Sequence, residues 1–132
     1  MDIINYVSYD AITGKIIQWG RGFPLDTWAW LENPDNQDVT DYYVDITTNT
    51  LTPKINQTWS INKIQAQADG EDLIEITNIP LGTLITLYQE QTMQSYEITD
   101  GDFQISSILP ANIIIRADHY KYQTTSVTVE FI

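Results

Sequence analysis

Asn112-Ile113-Ile114-Ile115-Arg116-Ala117-Asp118 and, a short turn later, Thr125-Ser126-Val127-Thr128-Val129-Glu130-Phe131 decide the fold of this chain. Side chains alternate across a β-strand, so Ile113, Ile115 and Ala117 share one face while Arg116 and Asp118 take the other. The second stretch repeats the pattern, with Val127, Val129 and Phe131 opposite Thr128 and Glu130. Both therefore read as strands that bury one face. Working back from them, candidate strands at 59–66, 73–79, 84–89, 95–98 and 102–106 are separated by Gly, Asp, Asn and Pro turns. Seven short strands at such spacing predict an antiparallel sandwich.

Composition agrees. In 132 residues there are four Trp and eight Tyr, hydrophobic residues make up 42%, and charged residues only 18%. A chain of this kind has enough apolar surface to fold, and its β-branched and aromatic content favours pleated sheets over helices. Six Lys and Arg against eighteen Asp and Glu leave a formal charge of −12. That field repels phosphate backbones and anionic headgroups, so nucleic acid and membrane insertion are not expected. Cysteine is absent, which removes disulfides, thiolate nucleophiles and zinc-cysteine sites. The opening MDIINYVSYD has no basic and apolar leader pattern, so a signal peptide is not expected.

The amino-terminal half carries an internal echo. Asp10-Ala11-Ile12-Thr13-Gly14-Lys15-Ile16 and Asp45-Ile46-Thr47-Thr48-Asn49-Thr50-Leu51 share the pattern Asp-x-x-Thr-(Gly/Asn)-x-(Ile/Leu). Each follows an aromatic and β-branched run. Asp can bond its own downstream backbone, and Gly14 or Asn49 can take the positive φ that a tight hairpin needs. Duplication and independent use of ordinary turn chemistry both account for the echo. Between the copies, Trp28-Ala29-Trp30-Leu31 reads as a strand with both indoles on one face. The other reading is a short helix capped by Asp26 and ended by Pro34. Pro53 cannot donate to a sheet ladder, which sets the expected boundary: a β-hairpin module over 1–56 and a β-sandwich domain over 57–132.

Lys63-Ile64-Gln65-Ala66-Gln67-Ala68-Asp69-Gly70-Glu71-Asp72, with Ile74 to Ile79 and Pro80-Leu81-Gly82-Thr83 after it, resembles the first two strands of bacterial and phage immunoglobulin-like domains. Ala68-Asp69-Gly70 matches that family's turn between strands, and Pro80-Leu81-Gly82-Thr83 its Pro-x-Gly-Thr turn. Asp100-Gly101-Asp102-Phe103 and Ser126 to Glu130 also fit. The segment from Tyr9-Asp10 through Tyr43-Val44-Asp45 to Pro53 is similar to the opening of small tailed-bacteriophage virion accessory proteins of the tail-fibre or tail-tip type. The Trp28-Ala29-Trp30 segment departs from that pattern. The resemblance implies an acidic, non-enzymatic structural protein of the virion, made in the host cytoplasm, that docks through its first module and projects or reinforces with an immunoglobulin-like domain. Other virion proteins in a multi-copy assembly are the implied partners. A capsid decoration protein and a carbohydrate- or receptor-binding module at the tail tip are the alternatives, the latter with a cell-surface glycan as partner.

No catalytic constellation is legible. His119 is the only histidine, and Asp69, Asp72, Asp100 and Asp102 sit at turns where Asp ordinarily bonds backbone. Asp35, Asp38, Asp41 and Asp45 offer oxygen ligands for Ca²⁺ but lack EF-hand spacing, so neither a metal nor another cofactor is expected. Three of the four Trp precede Pro53, in a module too small to bury them all. Phe23, Trp28, Trp30, Tyr42 and Tyr43 are accordingly the candidate partner-binding residues.

Overall fold

Thirteen strands and no helix are formed among the described residues of the computed structural model, which are 3–25 and 27–132. In chain order they are β1 (Ile4–Tyr9), β2 (Ile16–Gly22), β3 (Trp30–Glu32), β4 (Tyr42–Asp45), β5 (Thr50–Pro53), β6 (Ser60–Ile61), β7 (Gln65–Ala66), β8 (Ile74–Thr77), β9 (Leu84–Gln89), β10 (Thr92–Glu97), β11 (Phe103–Ile105), β12 (Ala111–His119) and β13 (Tyr122–Phe131). The protein is all-β. It divides into two compact units, residues 1–55 and 56–132, each with its own core.

In the second unit a five-stranded sheet, β10-β9-β12-β13-β7, and a three-stranded sheet, β11-β8-β6, enclose one core. Ile113, Ile115 and Ala117 of β12 and Val129 and Phe131 of β13 point inward, with Val127 partly buried beside them. They meet Ile74 and Ile76 of β8 and Ile85 of β9. The two sheets form a β-sandwich, in which one face of each sheet is apolar and the other polar.

The stretch 59–66 is two short strands in different sheets rather than one. β6 pairs with β8, whereas β7 runs parallel to β13. Asn62 causes the break: its side-chain oxygen accepts the Glu75 N–H at 2.8 Å and its side-chain amide donates to the Leu73 carbonyl. Lys63 then pairs with Asp72, whose other oxygen accepts the Gln67 N–H at 2.8 Å. The turns follow the sequence reading. Gly70, Gly82 and Gly101 all have positive φ, and Asp69 accepts the N–H groups of Glu71 and Asp72. Those two bonds hold the Asp69 carboxyl below the usual carboxylate range.

The first unit contains the three-stranded sheet β2-β1-β3 and the hairpin β4-β5. Asp10 opens the β1-β2 turn by accepting the Ile12 and Thr13 N–H groups at 2.8 and 3.1 Å. Asp45 does the same for Thr47 at 2.9 Å in the β4-β5 turn. Gly14 and Asn49 occupy matching positions with φ of 82° and 57°. The two hairpins also touch: the Val44 N–H donates to the Gly14 carbonyl at 2.9 Å, and the Tyr9 hydroxyl donates to the Asn49 side-chain oxygen at 2.6 Å.

The segment around Trp28 differs from the expected strand. β3 begins only at Trp30, and Trp28 lies in a bend outside the ladder. The Tyr9 N–H still donates to the Ala29 carbonyl at 3.0 Å, but β1 ends at Tyr9, so Trp28 has no strand to extend along. Asp26, the cap in the alternative helical reading, lies outside the described residues.

Two mutants test this architecture. Ile115→Asp puts an unpaired charge in the sandwich core, a cost of several kcal/mol against a typical margin of about 5–15 kcal/mol, and equilibrium denaturation should find the second unit unfolded. Gly14→Ala places a Cβ 1.8 Å from the Val44 carbonyl oxygen and forces positive φ on an L side chain. It should destabilise the first unit by more than about 1 kcal/mol, whereas Asn49→Gly should cost less, because it removes only the hydrogen bond from Tyr9.

Candidate functional site

Burial in the first unit is uneven. Val7, Val39 and Val44 are its fully buried apolar residues, with Tyr9, Ile16, Leu31, Tyr42 and Leu51 packed around them. Val7 and Leu31 are cross-strand partners on the core side of the sheet. The register puts Tyr6, Ser8, Gln18 and Trp30 together on the opposite side. That face is closed at one end by Trp28, whose ring lies 6.1 Å from the ring of Tyr6 at 40°. Gln18 spans the strands there, donating from its side-chain amide to the Tyr6 hydroxyl at 2.8 Å.

A cleft of about 450 Å³ opens between this face, the β1-β2 turn and the segment 27–29. Ile12, Ile17 and Trp28 are its apolar walls, and Asp10, Gln18 and Thr27 supply polar groups. Each is there for a local reason. Ile12 is carried by the Asp10 turn. Ile17 is the extra residue of a β-bulge, because the register shifts between Ser8 and Tyr9 and leaves it without a partner. Asp10 stays ionised well below the usual carboxylate range, chiefly because the Ile12 N–H and then the Thr13 N–H bond it.

The five candidate partner-binding residues do not form one cluster. Phe23 is 51% exposed and Trp28 37% exposed, while Trp30 is half-buried on β3. Tyr42 packs against the valine core, and Tyr43 on the same strand is half-buried opposite Thr52. Trp19, absent from that group, is 40% exposed on β2. Its signal was available, since Ile17-Gln18-Trp19 follows a hairpin turn at the start of a strand that has a neighbour on one side only. Tyr6 and Gln18 had no such signal, because their role depends on the register of three strands.

No family model, curated protein or solved structure matches the chain. The geometry therefore carries the functional argument by itself. Among the described residues no group of three or more His, Asp or Glu side chains is placed to hold a metal ion, and Asp35, Asp38, Asp41 and Asp45 do not converge.

The β12-β13 turn of the second unit holds the single histidine. His119 stacks on Tyr120 with ring centroids 4.6 Å apart and meets the edge of Tyr122 at 5.0 Å. Its Nδ1 accepts the Lys121 N–H at 3.1 Å, so the proton of the neutral ring resides on Nε2, which lies 3.0 Å from the Leu81 carbonyl and donates to it. Burial, and then the Lys121 charge, push its pKa below the ordinary value of 6.5. The folded state thus resists a proton that the unfolded chain accepts. The resulting contribution to stability is complete above pH 6.5 and declines as pH falls below it towards the lowered folded value. Thermal melts across that range should show the decline, and His119→Asn should flatten it.

Proposed function

We propose that this chain is a non-enzymatic structural protein of a tailed-bacteriophage virion, a tail- or fibre-associated component that docks on other virion proteins through its first unit and spaces or reinforces with its sandwich. The observation that supports this reading is the imbalance of the first unit. It fully buries three valines, yet leaves Trp19, Phe23 and Leu25 exposed along β2 and the loop after it. Large aromatic and aliphatic side chains standing in water on a small module are the usual anchors of a protein interface. The sandwich has a much larger core, with eleven buried apolar residues in one cluster. A net charge of −12 keeps such a protein soluble at the high local concentration of a multi-copy assembly.

The geometry of β2 favours docking through side chains over strand addition. The Ile17 bulge, together with Lys15 and Arg21 at either end of the strand, blunts it as a template for another chain. Trp19→Ala combined with Phe23→Ala should lower incorporation of the chain into particles by about tenfold or more, with unchanged melting of the isolated protein, since hot-spot aromatics contribute about 2 kcal/mol or more each. Particles purified by density and probed for the chain give the measurement. Loss of incorporation in step with loss of folding would refute the docking surface.

A further inference from the structure

The cleft between Trp28 and the β1-β2 turn has a chemistry distinct from the docking surface and does not depend on it. Its polar groups both accept and donate. Gln18 uses one amide N–H on Tyr6, which leaves its side-chain oxygen as an acceptor and its second N–H as a donor. Asp10 bonds the Ile12 and Thr13 backbone through one oxygen, and the Thr13 side chain and the Lys15 charge also act on its carboxylate. The Thr27 hydroxyl is exposed and can donate or accept. No Lys or Arg lines the cleft. An occupant must therefore bring both donors and acceptors, and the Asp10 charge repels carboxylates and phosphates.

Opposite these polar groups the walls are apolar. Trp28 presents an indole ring, and Ile12 and Ile17, 82% and 68% exposed, present aliphatic surface that the fold itself does not use. A ligand that fits has one apolar face, polarised C–H groups for the negative face of an indole, and a periphery of hydroxyls that donate and accept. A neutral pyranose ring has all three. The volume, about 450 Å³, lies within the range of about 300–1,000 Å³ common for small-ligand sites. An ammonium group is the competing donor-rich ligand. It is favoured by a cage of several rings, whereas this cleft is open, much larger than an ammonium head, and has one indole wall.

We infer that the cleft formed by Trp28, Ile12, Ile17, Gln18, Asp10 and Thr27 is a binding site for a neutral sugar, whose ring lies on Trp28 with its hydroxyls directed to Gln18 and Asp10. Gly20 supports the same placement: it stands opposite Tyr6 beside the cleft, and nothing lies within 4 Å of where its Cβ would be, so the sheet surface there is open to a ligand that extends past one ring.

Two-dimensional NMR of the full chain, titrated with methyl glycosides and short oligomers of glucose, galactose, mannose and N-acetylglucosamine, tests this. At least one neutral probe should shift the Trp28 indole N–H saturably, and the matching uronic acid should bind more weakly. Trp28→Ala should weaken binding by about tenfold or more, the loss of one aromatic stacking contact. Gln18→Ala should weaken it too. Ile12→Ala, at an exposed turn position, keeps the test valid if Trp28→Ala proves unstable, and it should also reduce affinity. The inference is overturned if no neutral probe gives a saturable shift, if all three variants bind as the parent does, if the uronic acid binds tighter than its neutral counterpart, or if choline alone shifts Trp28.

Discussion

The hydrogen bond from the Val44 N–H to the Gly14 carbonyl is the contact on which the first unit depends. It joins the β1-β2 turn to strand β4, distant in the chain, and it does so where a Cβ on residue 14 would lie 1.8 Å from the Val44 carbonyl oxygen. Only glycine allows the backbones so close. The small valine core gains its closure from this approach, since Val44 is one of its three fully buried members. The cleft depends on it as well, because the same β1-β2 turn carries Asp10 and Ile12.

Different physics holds the sandwich. Its core is large, and the two sheets need only present alternating apolar faces to each other. What specifies the connectivity is the polar chemistry at the strand switch. Asn62 satisfies the backbone of 73–75, and Asp72 gathers Lys63 and the Gln67 N–H, so the chain leaves one sheet and joins the other without leaving those groups unpaired. Surface ion pairs contribute little by themselves, and the weight here rests on the hydrogen bonds that go with this one.

The two units therefore differ in what they leave for other molecules. The sandwich buries a large inward set, although Ile108 and Leu109 stay exposed on it. The first unit has a smaller interior, and its exposed apolar residues include one group along β2 and its following loop and another around Trp28. One is rich in large exposed anchors and bears Arg21. The other combines an indole with polar groups that donate and accept, and no Lys or Arg lines it. That contrast in polar chemistry supports the proposals of a protein partner for the first and a sugar for the second.

Much of this was set by local sequence. The period of two in 112–118 and 125–131 determined which side chains of β12 and β13 are buried, because alternation leaves a strand only one apolar face. Asp10, Gly14, Asp45 and Asn49 determined two hairpin turns, because their chemistry acts within four residues. Tertiary structure alone decided why one turn has Gly and the other Asn: the first lies under the Val44 carbonyl, and the second offers its side-chain oxygen to the Tyr9 hydroxyl. It also divided 59–66 between two sheets and kept Trp28 out of β3, since both outcomes turn on partners far along the chain. The site was legible only in part. Trp28 and Phe23 stood out by residue type, whereas Gln18, Ile17 and Tyr6 became part of a surface only through a three-strand register and a bulge, which are long-range pairings that residue type does not encode.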